Sequence, residues 1–195
     1  MDLKLVRKIN GLVGSHFGFD FFMDFIARFG HLFFVLYGLW LWFGGSGEDR
    51  ERRRACALSA LSGVVLCSVI SFVIGKVWNR PRPFVRDGRI WNFTGHKANA
   101  SFPSNHTMNS AVITLSLFHD RMPFRWGMAA LSVLLAFSRV FAGIHYVTDL
   151  LGGFAIAAAV HSGIARSGAL GRIFKSLAAA SLLLDGAARF LRKGR

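Results

Sequence analysis

Residues 56–78 carry a single charge, Lys76. About 20 mostly apolar residues suffice to cross a bilayer as a helix, because only a helix satisfies its own backbone there. This run meets that requirement. Four further stretches meet it with less margin. Residues 29–43 need Ile26 and Ala27 to reach length. Residues 102–118 begin with polar groups. Residues 127–144 are interrupted only by Arg139, and residues 147–165 hold Asp149 near the start and His161 near the end. The pattern predicts an all-α, polytopic membrane bundle of five helices. Residues 173–191 are a candidate sixth, but Lys175, Asp185 and Arg189 favour a helix lying at the interface.

Composition agrees. Hydrophobic residues make up 53% and charged residues 17%, against a usual share of about 25% charged. A disordered chain is excluded, since that much apolar surface would remain in water. A small soluble globule could not hide it either. The net charge of +14 would suit nucleic acid, but the basic residues fall in short bursts between apolar runs. No segment looks like a nucleic-acid reader, so no nucleic-acid partner is expected. Cys56 and Cys67 lie in one apolar run, roughly 16 Å apart along a helix. A disulfide needs Cα atoms within about 7 Å, so both are expected to be free. No signal-peptide pattern opens the chain.

Residues 1–25 form an amphipathic segment. Leu5, Ile9, Leu12 and Val13 recur at helical spacing, with Lys4, Arg7 and Lys8 elsewhere and Gly11 and Gly14 as interruptions. The spacing predicts a helix lying in the membrane interface. No linker divides the chain, so residues 1–195 read as one integral-membrane domain. Residues 26–165 bear the motifs, and residues 170–195 form a basic C-terminal helix.

Basic loops orient a bundle, with Lys and Arg favouring the cytoplasmic side. Arg50, Arg52, Arg53 and Arg54, then Arg121 and Arg125, then Arg166, Arg172 and Lys175 fall on one side of a five-span chain. The long stretch 79–101 and the turn at Gly143 and His145 then face the exterior or periplasm. That side holds Lys76, Arg80, Arg82, Arg86, Arg89 and Lys97 against the bias, which points to a task for them.

Three clusters on that side carry chemistry. In the first, Pro81 and Pro83 stiffen an extended segment that splays Arg80 and Arg82, with Lys76 shortly before them. Guanidinium groups match phosphate oxygens bidentately. In the second, Pro103 and Ser104 open a helix whose first backbone N–H groups, at Ser104, Asn105 and His106, would face an anion. His106 stands in that first turn. In the third, Arg139 lies in an apolar run, which makes it a site candidate by default. His145 and Asp149 are four apart, so on a helix they share a face. A carboxylate on one imidazole nitrogen leaves the other free as nucleophile or base. No carboxylate cluster suits magnesium, so metal-independent attack on phosphorus by histidine fits best, with no cofactor.

Lys76 with Arg82 and Pro83, then Pro103-Ser104-Asn105-His106, then Ser138-Arg139 with His145 and Asp149, together resemble the three signature motifs of the type 2 phosphatidic acid phosphatase superfamily. The likeness is greatest to bacterial undecaprenyl-diphosphate phosphatases of the bacitracin-resistance type. It departs at Asn105, where glycine is usual, and at the spacing of Lys76 from Arg82, which leaves the choice between Arg80 and Arg82 open. The resemblance implies a phosphohistidine at His145, oriented by Asp149. His106 would protonate the leaving group and later activate water. Lys76, Arg82, Ser104, Asn105 and Arg139 would hold the phosphoryl oxygens. Arg80, Arg86 and Lys97 are candidates for a second phosphate. Trp78, Phe84, Trp91 and Phe102 are candidates to line an isoprenoid's route. The implied substrate is undecaprenyl diphosphate, held with other lipids in a bacterial inner membrane. The motifs read phosphate rather than tail, so phosphatidic acid, phosphatidylglycerol phosphate and lipid A phosphate stay open. So does a non-catalytic lipid-phosphate-binding or anion-conducting protein, although binding alone needs no paired histidine and carboxylate. Oligomeric state is not legible.

Overall fold

A computed structural model gives the fold. It describes residues 1–193, with side chains described to residue 187. The last two residues of the basic C-terminal segment and the side chain of Arg189 lie outside that set. The described residues form helices and no strand: α1 (Asp2–Asn10), α2 (Phe17–Phe43), α3 (Gly47–Val77), α4 (Pro83–Arg86), α5 (Asn105–His119), α6 (Arg125–Phe141), α7 (Val147–Arg166) and α8 (Gly168–Lys193). Three of them, α2, α3 and α7, are long and apolar enough to cross a membrane. At 15 and 17 residues, α5 and α6 are shorter.

The N-terminal expectation needs correction. The segment 1–25 is not one interfacial element. It breaks after Asn10, and residues 17–25 belong to α2. Asp20 and Asp24 lie in that first part of α2, and each makes a local contact, although Asp20 Oδ1 has no partner. Asp20 accepts the Gly14 N–H at 2.8 Å, and Asp24 pairs with Arg28 one turn on. Nor does α1 merely rest on lipid. Val6 is fully buried against Ile90, Val140 and Tyr146. Asn10 donates to the carbonyls of Trp91 and Phe141 and accepts the Trp91 N–H at 2.8 Å. Arg7 pairs with Asp87. These polar ties dock α1 on the loop after α3 and on the end of α6.

Helices α3 and α5 approach closely because Gly63 faces Val112: a Cβ there would sit 2.6 Å from Val112 Cγ2. Small and polar groups join neighbours, as expected where lipid supplies little drive for helix association. Ser110 and Ser132 hydroxyls lie 2.8 Å apart between α5 and α6, and Asn109 donates to Ser68 between α5 and α3. The core falls into three clusters. One, around Leu41, Leu117 and Met122, extends from Cys56 to Ile26 and Leu135. A second, around Tyr146 and Val140, lies under the site. A third, around Met108 and Val112, lies between α3, α5 and α7.

Near the start of α3, Arg54 reaches Ser181 and Asp185, well along α8. The start of α3 and the end of α7 lie at the same end of the bundle, since Ser116 contacts both Cys56 and His161. Helix α8 thus remains near that end as far as residue 185. Both cysteines are buried and free.

Candidate active site

Chain reversal between α6 and α7 builds the centre of the site. Gly143 takes φ of +70°, and a Cβ there would lie 2.4 Å from Ile90 Cγ2. Only glycine accepts both that dihedral and that contact. The turn delivers His145 just ahead of α7. His145 Nδ1 lies 3.3 Å from Asp149 Oδ2, and the same oxygen accepts the Tyr146 N–H at 2.9 Å. Asp149 is fully buried. A carboxylate facing Nδ1 favours the tautomer with its proton there, leaving the Nε2 lone pair available. Burial holds the His145 imidazole below its ordinary range, aided by the cations Arg82 and Arg139 and opposed by the bond to Asp149. It therefore stands neutral, as attack on phosphorus requires.

Arg82 faces that lone pair. Its Nη1 lies 3.2 Å from His145 Nε2 and donates to the Ile144 carbonyl at 2.7 Å. Its Nε donates to Asn99, and its Nη2 to the Ala100 carbonyl. The stiff Pro81–Pro83 segment and the far end of the long loop thus fix one guanidinium beside the histidine. Asn99 had no signal in the sequence. Burial pulls the Arg82 guanidinium down to about 10, with Asp149 opposing, so it remains charged at neutral pH.

Arg139 arrives from the last turn of α6 and is 4% exposed. Its Nη1 donates to the Ala27 carbonyl at 2.6 Å, while its Nε is buried with no partner. A buried donor without an acceptor is costly. Together with Arg82 it brings two positive charges to bear on His145, an arrangement suited to a phosphate.

Helix α5 starts against this group. The Ser104 N–H donates to the Asp149 carbonyl at 3.3 Å, so it is not among the outward-facing groups that the sequence suggested. The Ser104 hydroxyl is buried and accepts from Thr107. Asn105 and His106 follow in the first turn. The His106 ring meets the His31 ring of α2 edge-on, 5.6 Å between centroids. His31 was missed because nothing in its local sequence marks it.

Other expectations fare differently. Lys76 is not brought to the group: it is exposed, with its ammonium over the Phe72 ring. Arg86 and Lys97 are exposed as well. Arg80 is not available to a second phosphate as it stands, because its Nη1 bonds Asp149 Oδ1 at 2.5 Å and its Nη2 bonds Asp2. That also settles which arginine faces His145.

An apolar cavity of about 580 Å³ opens beside His31, Asn105 and His106. It runs between α2 and α3 to Trp42 and Leu58, about 16 Å along α2 at 1.5 Å per residue. None of Trp78, Phe84, Trp91 or Phe102 lines it. Phe102 packs instead on Trp78 and over Gly152. Among the described residues, no three His, Cys, Asp or Glu side chains group as metal ligands.

Relatives share this arrangement of chain. Undecaprenyl-diphosphatase BcrC of Bacillus subtilis is 29% identical over 80% of this chain and 79% of its own length. The putative undecaprenyl-diphosphatase YbjG of Escherichia coli is 32% identical over 59% of this chain and 55% of its own. The crystal structure of Aquifex aeolicus LpxE superposes with a TM-score of 0.67 at 22% identity, covering 83% of this chain and 92% of that one. The phosphatidylglycerolphosphate phosphatase structure from Bacillus subtilis gives 0.59 at 23% identity, covering 83% and 82%. A sequence model of the PAP2 superfamily matches residues 56–169, the stretch that holds Arg82, His106, Arg139, His145 and Asp149, and the chain belongs to that superfamily.

Proposed function

We propose that this protein hydrolyses undecaprenyl diphosphate to undecaprenyl phosphate and inorganic phosphate through a phosphohistidine at His145. One observation carries the reading: a neutral, Asp149-paired His145 faces Arg82 near Arg139, whose Nε has no partner, while His106 opens onto an apolar cavity. Cations alone would bind a lipid phosphate. The buried histidine–carboxylate pair adds a nucleophile. Similarity to BcrC over most of both chains supports the choice of lipid.

In this mechanism the Nε2 lone pair attacks the terminal phosphorus. The bond from phosphorus to the bridging oxygen breaks, and that oxygen takes a proton from His106. Arg82 and Arg139 hold the equatorial oxygens, whose charge is what needs stabilising. His106 then takes a proton from water, whose oxygen attacks phosphorus and releases phosphate from Nε2. The lipid monophosphate stays in the bilayer, with part of its chain in the cavity. The reaction needs no metal. The site faces the periplasm or exterior of a bacterial inner membrane, and five helices cross it, with α8 at the opposite interface.

Purified protein assayed on a panel of lipid phosphates tests this. Undecaprenyl diphosphate should be turned over fastest, and chelators should leave the rate unchanged. Faster turnover of phosphatidic acid or phosphatidylglycerol phosphate would defeat the carrier-lipid reading.

A further inference from the structure

Arg80 lies between two carboxylates from distant parts of the chain. On one side is Asp149. On the other is Asp2, in the first turn of α1, whose Oδ2 accepts Arg80 Nη2 at 2.9 Å. Asp2 Oδ2 also accepts the Thr148 hydroxyl, and its Oδ1 accepts the Val147 N–H at 3.1 Å, a free donor at the start of α7. Arg80 Nη1 bonds Thr148 at 2.7 Å, and its guanidinium lies 3.9 Å from the centre of the Tyr146 ring. Four residues thus form a row: Asp2, Arg80, Asp149, His145.

We infer that Asp2 is a positioning residue for the phosphoryl-transfer step, acting on His145 through Arg80 and Asp149. The inference rests on the proposed phosphohistidine chemistry. Attack through Nε2 with the Nδ1 proton retained makes the imidazole cationic, and a negative neighbour stabilises that cation. Arg80 alone on Asp149 would cancel the neighbour's charge. Two carboxylates flanking one guanidinium leave one net negative charge, which is what the cationic ring requires. Asp2 also fixes the start of α7, one turn of which sets the angle between Asp149 and the ring. Removing it leaves Arg80 paired with Asp149 alone, or free to swing toward the phosphate.

The test compares the wild type with Asp2→Asn and Asp2→Glu, all in lipid nanodiscs. It reads kcat and KM on undecaprenyl diphosphate, the dissociation constant of vanadate as a mimic of the transferring phosphoryl group, and the melting temperature. Asp2→Asn is expected to lower kcat about tenfold with KM within twofold, and to weaken vanadate about tenfold at an unchanged melting temperature. Asp2→Glu should recover most of both losses. An Asp2→Asn protein with wild-type kcat and vanadate affinity would overturn the inference. So would equal losses in both variants accompanied by a lower melting temperature, which would mark a purely structural tie. If the wild type binds vanadate yet ignores undecaprenyl diphosphate, the substrate reading fails. The vanadate comparison still decides the role of Asp2.

Discussion

At the end of the bundle away from the site, Arg54 uses its guanidinium fully. Its Nε donates to the Trp42 carbonyl, Nη1 to Ser181 and Nη2 to Asp185 at 2.5 Å, and the ring of Trp42 lies beneath it. At the site end, Arg82 and Arg139 are as deeply buried. Their partners are carbonyls, an amide and a histidine, with no ion-paired carboxylate, and one donor of Arg139 has no partner at all. Burial of an arginine therefore does not separate a structural role from a functional one in this chain. Charge balance does. At Arg54 a guanidinium closed by a carboxylate ties helices together, whereas at Arg82 and Arg139 the hydrogen bonds go to no carboxylate, which leaves charge over for an anion.

The largest effect should come from the group that both unbalanced arginines surround. His145→Ala should lower kcat/KM by at least about 10⁴-fold, as loss of a nucleophile does, while vesicle-reconstituted protein remains folded by circular dichroism. Retained turnover would remove the site end from the contrast altogether. Arg139→Met should cost about 10²- to 10³-fold in kcat, the usual loss for one donor to a transition-state oxyanion. Its melting temperature should hold or rise, because an apolar side chain replaces an unpaired buried charge.

Arg54→Met should reverse that pattern. Its kcat should stay within twofold of wild type, while unfolding becomes easier by about 1–3 kcal/mol, the range for hydrogen bonds to a charged group. Titration of unfolding in detergent with denaturant would measure it. A large loss of turnover in Arg54→Met would show that the two ends are coupled and sink the distinction.

The smallest effect concerns the tie between α1 and the long loop. Hydrogen bonds from Arg89 and Arg7 hold the Asp87 carboxyl down at about 2. A depressed carboxyl stabilises the fold above its unfolded value, near 4, and that contribution disappears as pH falls through 2. The protection of α1 amides, relative to intrinsic exchange at each pH, should therefore fall between pH 4 and 2 in wild type. In Asp87→Asn it should be lower already at pH 5 and change little below.

How far the sequence disclosed this depended on the range of each interaction. The His145–Asp149 pair follows from four-residue spacing, and Arg139 from its place in an apolar run. The stiff proline segment announced Arg80 and Arg82, but which of them faces His145 depends on where Asp149 and residue 2 lie in space. Lys76 sits close in sequence to Arg82, yet the last turn of α3 aims it outward. Helix α2 was read too short because the amphipathic segment was carried through to residue 25, over Asp20 and Asp24. Their partners, Gly14 and Arg28, are local, but a composition window counts charges without pairing them. The docking of α1 was invisible because amphipathic spacing describes a face without saying whether lipid or protein covers it. Asn99 and His31 act at long sequence range and carry no local signature.

The unpartnered Nε of Arg139 also bears on what happens after turnover. A fold that buries two like charges around one histidine, with one donor unmet, is less stable empty than filled, so a tetrahedral oxyanion of the right size should act as a thermal stabiliser. At a hundred times its dissociation constant such a ligand adds about 2.7 kcal/mol. In the proposed reaction inorganic phosphate would be the last product to leave His145, into the same cationic site that draws the substrate in. Its release would then be the slow exit from an attractive well, and added phosphate should act as a competitive inhibitor.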